Sequence, residues 1–268
     1  MADDPIVEQL RTEFAALVAL CSDLSERDWK RPTECPGWTV QDAVAHLLGI
    51  ELSLLGEPEP EPVRGRAHVR NELGEQNEAW VEHFRDRGGD AVLQLFAEAT
   101  ARRVAAMHAM SEQEMQAHHP GPTGQVPYRD LLGIRLMDCW VHEQDIRHAL
   151  GRPGGFDGEH VGVVFERLLG ALPRVLAKAV RPPEGSVVAL RLSEPVPRTR
   201  AVQVSGGRGT VVDAAGEAVC TVAMSPPVYE RLVAGRWTGE HALERGGLVL
   251  DGDVELGRAL VRNLSILP

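Results

Sequence analysis

One change of hydrophobic period limits what this chain can fold into. Before Arg181-Pro182-Pro183-Glu184-Gly185 the apolar residues recur at the three- and four-residue steps of amphipathic helices. After it they fall in short β-branched runs between Gly- and Pro-rich turns. The first pattern predicts a helical bundle over residues 1–181. The second predicts a small α+β domain over 182–268, built on an antiparallel sheet. A chain of 268 residues that is 43% apolar can bury two cores.

Within the first part, Leu10, Phe14, Leu17, Val18 and Cys21 share one face of a helix over Ile6 to Cys21. A second helix follows Pro36-Gly37-Trp38, with Thr39 as N-cap and Asp42 as its capping-box partner, and runs to about Leu55. The alternating Pro/Glu stretch from Glu57 to Pro62 reads as an extended loop. Further helices are predicted over 71–87 and 91–110, then a loop at His118-His119-Pro120-Gly121-Pro122. The best-defined helix spans Tyr128 to Leu150 and is stopped by Gly151. A last one covers 159–179, with Pro173 as a kink. Strands are expected at 187–192, 201–205, 209–212, 218–223 and 248–250, with helices at 227–234 and 254–263.

Charge and cysteines narrow the function classes. With 28 basic and 39 acidic residues the net charge is −11, which argues against nucleic acid or an anionic membrane as partner. The N-terminus is acidic rather than leader-like, and no apolar run is long enough to span a bilayer. Cys21, Cys35, Cys139 and Cys220 form no CxxC pair, which excludes a cysteine zinc finger and fits a reducing cytoplasm.

The Tyr128–Leu150 helix carries the chemistry. Asp138 and His142 are four apart, so they share a face, and Arg135 and Asp145 continue that stripe at three-residue steps. An acid and an imidazole so placed can offer two ligands to one metal. A third must come from elsewhere, and His46 is the natural candidate. It sits in the apolar run Ala43-Val44-Ala45-His46-Leu47-Leu48-Gly49, with Gly49 expected to leave space above its ring. Two histidines and a carboxylate suit Zn²⁺ or another divalent ion and leave positions open. Each element alone has a plainer reading, since Asp-x-x-x-His pairs occur on solvated faces and a lone core histidine is usually hydrogen-bonded. His118-His119 is the competing pair, poorly suited to chelating one ion from adjacent loop positions.

Two stretches carry a resemblance. Pro32-Thr33-Glu34-Cys35-Pro36-Gly37-Trp38-Thr39 through His46-Leu47, and Asp138-Cys139-Trp140-Val141-His142-Glu143-Gln144-Asp145 through Ala149, resemble the two signatures of the mycothiol-dependent maleylpyruvate isomerase family. The resemblance implies a DinB-like four-helix bundle holding a divalent metal, usually Zn²⁺, and a low-molecular-weight thiol, mycothiol or a relative, as cosubstrate. It places the ligands at His46, Asp138 and His142, where Asp138 stands for the family's glutamate and is one methylene shorter. Asp145 then either orients an imidazole or makes a helix-packing contact. The Tyr229–Arg236 and Leu250–Gly257 stretches resemble the sterol-carrier-like domain often attached in this family.

The activity implied is cis–trans isomerisation or thiol S-transfer on a small molecule. The alternatives are a non-catalytic small-molecule binder on the same scaffold with a weakened metal site, or an interaction module. An anionic substrate calls for a cationic clamp, for which Arg135 and Arg236, or Arg262, are the candidates in a cleft between the domains. Cys35 as a nucleophile is the lesser reading of a turn that Pro36, Gly37, Trp38 and Thr39 explain structurally. No sequence feature fixes an oligomeric state.

Overall fold

The computed structural model describes residues 4–122, 124–213 and 215–267. Met1–Asp3, the start of the acidic N-terminal stretch, lies outside them. Two compact units divide the chain, residues 1–155 and 156–268.

In the first unit, α1 (Pro5–Cys21) begins on the side chain of Asp4, which accepts from Ile6 N, and buries Val7, Leu10, Phe14, Leu17 and Cys21. The short α2 (Glu26–Trp29) ends on a fully buried indole. α3 (Val40–Leu54) starts with the expected capping box, Thr39 N donating to Asp42 Oδ2 at 2.8 Å. Then come α4 (Glu72–Phe84), α5 (Gly89–His108), the short α6 (Glu112–Gln116), the hairpin β1 (His118–Gly121) and β2 (Gly124–Pro127), and α7 (Tyr128–Leu150). α7 has the predicted bounds, and Gly151 closes it at φ 66°, a left-handed turn that glycine adopts without strain. α1, α3, α5 and α7 pack as a four-membered ring, each against two neighbours, while α4 covers α3.

Two expectations fail here. The expected loop at His118–Pro122 is instead strand β1 over His118–Gly121, paired antiparallel with β2, His119 opposite Val126, with Pro122 in the turn. Pro120 and Gly121 sit in a four-residue strand too short for any alternation to show. Gly49 does not make room for His46. A Cβ there would stand 2.2 Å from Trp80 Cγ, so the missing side chain lets α4 approach α3.

The second unit holds α8 (Glu159–Leu169), α9 (Leu172–Val175), a π-helical turn at Leu176–Val180, and strands β3 (Val187–Leu192), β4 (Arg198–Ser205) and β5 (Arg208–Val212). A 3₁₀ turn leads to β6 (Cys220–Met224), followed by α10 (Pro226–Val233), α11 (Gly239–Arg245), β7 (Leu248–Gly252) and α12 (Val254–Arg262). The predicted single helix over 159–179 breaks at Gly170, and Pro173 sits in the first turn of α9, where its missing N–H is harmless.

The sheet is mixed rather than antiparallel, in the order β5-β4-β3-β6-β7. After β5 the chain crosses back to the far side of β3, so β6 runs parallel to it, with Leu190 opposite Val222. α12 lies on one face, where a Cβ on Gly257 would touch Leu250, Cys220 and Val222. On the other face Val187, Ala189 and Ala201 form a buried patch covered by Val212, Ala215 and Ala218.

The units divide ahead of Pro182, the boundary read from the change in period. The reason is packing: α8 and α9 are helical but belong to the sheet. Glu166 of α8 pairs with Arg198 and Arg200 of β4, and a Cβ on Gly209 of β5 would overlap the Pro173 carbonyl. Among the described residues no helix is long and apolar enough to cross a membrane.

Candidate metal centre

α3 and α7 lie side by side in the bundle, and they bring His46, Asp138 and His142 together. One ligand atom from each lies within 4.8 Å of the others. His46 Nε2 is 3.4 Å from Asp138 Oδ2, and His142 Nε2 is 3.8 Å from Asp138 Oδ1. Four-coordinate Zn²⁺ with bonds near 2.1 Å separates its ligands by about 3.4 Å, so this spacing fits a shared cation. The imidazole rings meet edge-on, centroids 4.9 Å apart.

Burial and charge agree with that fit. His46 is 3% and His142 6% exposed, whereas the Asp138 side chain keeps 29% and marks the open side. Burial pushes the His46 pKa down to about 4 against the pull of Asp138, so its ring is neutral at neutral pH, the state a metal requires. Burial would raise Asp138. Its neighbours, Arg135 first and then His46, outweigh burial and hold the carboxyl well below the usual range. His46 Nδ1 is buried without a hydrogen-bond partner. His142 Nδ1 lies 3.2 Å from Asp145 Oδ2, near enough for attraction but not aligned as a hydrogen bond. Two buried imidazoles, each with Nε2 within 4 Å of the Asp138 carboxylate, are what a divalent cation would organise.

Trp38 walls the cluster, its ring 4.9 Å from that of His46 and 5.7 Å from that of His142. Its Nε1 donates to Glu78 Oε2 at 2.8 Å. The 1%-exposed Glu78 is also met by His68 Nε2 and Arg85 Nη2, each at 3.0 Å. The Pro36-Gly37 turn presents Trp38 by a left-handed Gly37, φ 82°, where a Cβ would stand 2.7 Å from the His68 ring. Cys35 serves that turn, its carbonyl accepting from Trp38 N.

Behind Asp138 runs a buried chain of charge. Arg135 Nη1 donates to Asp138 Oδ2 and its Nε donates to Glu51 Oε1 at 3.0 Å. Glu51 Oε2 accepts from Arg103 Nε at 2.9 Å. Arg135, 3% exposed and engaged on both sides, has no fork left for an incoming carboxylate, contrary to its expected place as a substrate clamp. Arg236 and Arg262 belong to the second unit, where Arg236 Nη1 donates to the Ala234 carbonyl and Arg262 Nε to Glu240. His118 and His119 stand on β1, and His119 packs against the Tyr128 ring.

Glu51, Arg103, Glu78 and His68 escape the sequence reading. Glu51 had a signal, an acid between Ile50 and Leu52 in the apolar part of its helix. Glu78 had none, because α4 is polar along most of its length.

A helical unit with a histidine–carboxylate–histidine cluster, joined to a mixed-sheet α/β unit, defines the class. Residues 10–147 match the mycothiol maleylpyruvate isomerase N-terminal domain family, and residues 165–265 the SCP-2 sterol transfer family. The chain belongs to the mycothiol maleylpyruvate isomerase family, with an SCP-2 domain following. The crystal structure of the mycothiol-dependent maleylpyruvate isomerase superposes with a TM-score of 0.59 at 19% identity, over 92% of this chain and 91% of that one, and shares the fold. An uncharacterised Mycobacterium tuberculosis protein is 27% identical over 160 residues, 56% of this chain and 59% of the relative's length. A second from the same organism is 24% identical over 168 residues, 63% of this chain and 78% of that protein.

Proposed function

We propose that this protein is a metal-dependent enzyme that uses mycothiol or a related low-molecular-weight thiol, acting as a maleylpyruvate-isomerase-like cis–trans isomerase or as a thiol S-transferase. The observation that carries the reading is the meeting of His46, Asp138 and His142 at ligand spacing. Their two nitrogens and one carboxylate would hold a divalent cation, Zn²⁺ first among them. The chemistry such an ion supplies is thiol activation, since coordination deprotonates a group whose free pKa is about 8.5.

The chain's own residues set the conditions. Trp38 closes the wall behind the histidine rings and keeps water from that side. Asp145, wholly buried, faces His142 Nδ1 at 3.2 Å and would orient that ring toward a bound ion. Glu51, Arg103, Arg135 and Asp138 carry two negative and two positive charges and balance one another. The charge of a cation is therefore left for anionic ligands, a thiolate and an acidic small molecule. Arg236 remains the candidate to bind a substrate carboxylate. Cysteines that form no disulfide among the described residues fit a cytoplasmic location.

Family membership favours an enzyme over the non-catalytic binder. The test combines elemental analysis of the purified protein, mass spectrometry of any thiol that co-purifies, and turnover of mycothiol with a panel of cis-alkene acids and alkylating electrophiles. Stoichiometric metal with thiol-dependent turnover is the expected result. A metal-free protein inert toward the whole panel refutes the enzyme reading, and full metal content in His46→Ala refutes the ligand set.

A further inference from the structure

We infer that Arg135, held in place by Glu51, is a positioning residue that fixes the short carboxylate arm of Asp138 for metal binding; the inference rests on the metal-centre reading above. Asp138 is the one member of the cluster open to water, with 29% of its side chain exposed. An aspartate reaches one methylene less far than a glutamate. An unguided carboxylate there would turn outward to solvent and away from the two imidazoles.

Arg135 stands one turn earlier on α7 and prevents this. Its Nη1 donates to Asp138 Oδ2, its Nη2 approaches Cys139 Sγ at 3.6 Å, and its Nε is fixed by Glu51. Glu51 is wholly buried on α3, the helix that carries His46, and its second oxygen is fixed by Arg103 of α5. Arg103 is 2% exposed, its guanidinium 5.8 Å from the Tyr128 ring centroid. Three helices thus converge on the aim of one carboxylate. Buried charge networks of this kind are seldom retained for stability, because apolar replacements serve as well or better. Partners that orient metal ligands are a recognised use for them.

The test is metal affinity, read by competition with a chromogenic chelator, in four proteins: wild type, Arg135→Lys, Asp138→Glu and the double variant. Lysine keeps the charge but lacks the planar fork whose Nε bonds Glu51 while Nη1 bonds Asp138. Arg135→Lys should weaken Zn²⁺ binding on the order of 10–100-fold, the usual effect of losing a ligand's partner. In the Asp138→Glu background the same change should cost less than about threefold, because the longer arm reaches without a guide and the two effects cease to add. Glu51→Asp, which retracts the support while keeping its charge, should show the same dependence on background and serves if Arg135→Lys does not fold. Circular dichroism of the metal-free proteins accompanies each measurement. An equal loss in both backgrounds marks a merely structural arginine and overturns the inference. So does an unchanged affinity in Arg135→Lys, or loss of binding in Asp138→Glu alone. Wild type that binds no metal overturns the metal centre itself, a distinct result.

Discussion

The proposed metal centre makes a prediction about stability that needs no substrate. The ligand atoms already stand at 3.4 and 3.8 Å in the protein, so a cation would bind the folded chain without rearranging it and would find no such cluster in the unfolded chain. At a free Zn²⁺ concentration 100 times the dissociation constant, this linkage is worth about 2.7 kcal/mol. A unit of this size gains roughly 2–4 °C of melting temperature per kcal/mol, which predicts a rise of about 5–10 °C. The perturbation is His46→Ala. Without metal, two effects oppose each other in that variant. The ring contacts with Trp38 and His142 are lost. The variant also removes the buried, unbonded Nδ1, whose burial costs about 1–3 kcal/mol. The metal-free variant should therefore melt close to the metal-free wild type, while the Zn²⁺-dependent rise disappears. Calorimetric melting of both proteins, in chelator and in buffered Zn²⁺, reads both quantities. A rise of equal size in His46→Ala, or none in wild type, would refute the reasoning.

Gly49→Ala should destabilise the bundle by about 2–3 kcal/mol despite a helix-propensity gain near 1 kcal/mol, because the new Cβ would stand 2.2 Å from the buried Trp80 ring; urea unfolding measures it. Burial, aided by the charge of Glu143, raises the pKa of Glu13 well above the ordinary 4.5. The folded chain then keeps a proton that the unfolded chain releases, so stability falls as pH rises above that value. Glu13→Gln should flatten this slope, leaving stability near pH 4 little changed and raising it near pH 8, as denaturant midpoints at the two pH values will show. Glu78→Gln takes a charged acceptor from Trp38, His68 and Arg85 and should cost about 1–3 kcal/mol, with the loss read by thermal unfolding.

What was legible in the sequence was whatever local pattern dictates. α7 was read to the residue because a long amphipathic run ends at a glycine able to turn left-handed. α3 was placed by Thr39 and Asp42, whose side chains and backbone bond reciprocally. The short α2 and α6 went unread although Ser25 with Asp28 and Ser111 with Glu114 form capping boxes, since four or five residues show no period. The β1–β2 hairpin was hidden by its prolines and glycines, and the parallel pairing of β3 with β6 by its dependence on a crossover that no strand-level pattern encodes. At the site, the spacing of Asp138 and His142 on one helix is a local fact, whereas the approach of His46 rests on its place in an apolar helix and on the signature it resembles. The partners Glu51 and Glu78 bond residues distant in sequence, 84 positions in one case and 40 in the other, and distance of that kind leaves no periodic trace.

His46 comes early in the first unit, and Asp138 and His142 lie on its last long helix. During synthesis α4, α5 and the hairpin are therefore made between the first ligand and the other two. The three-residue cluster cannot be complete until α7 has been made and has met α3. Loading with an ion would then be a late event, and an ion bridging α3 and α7 would hold α7 against fraying away.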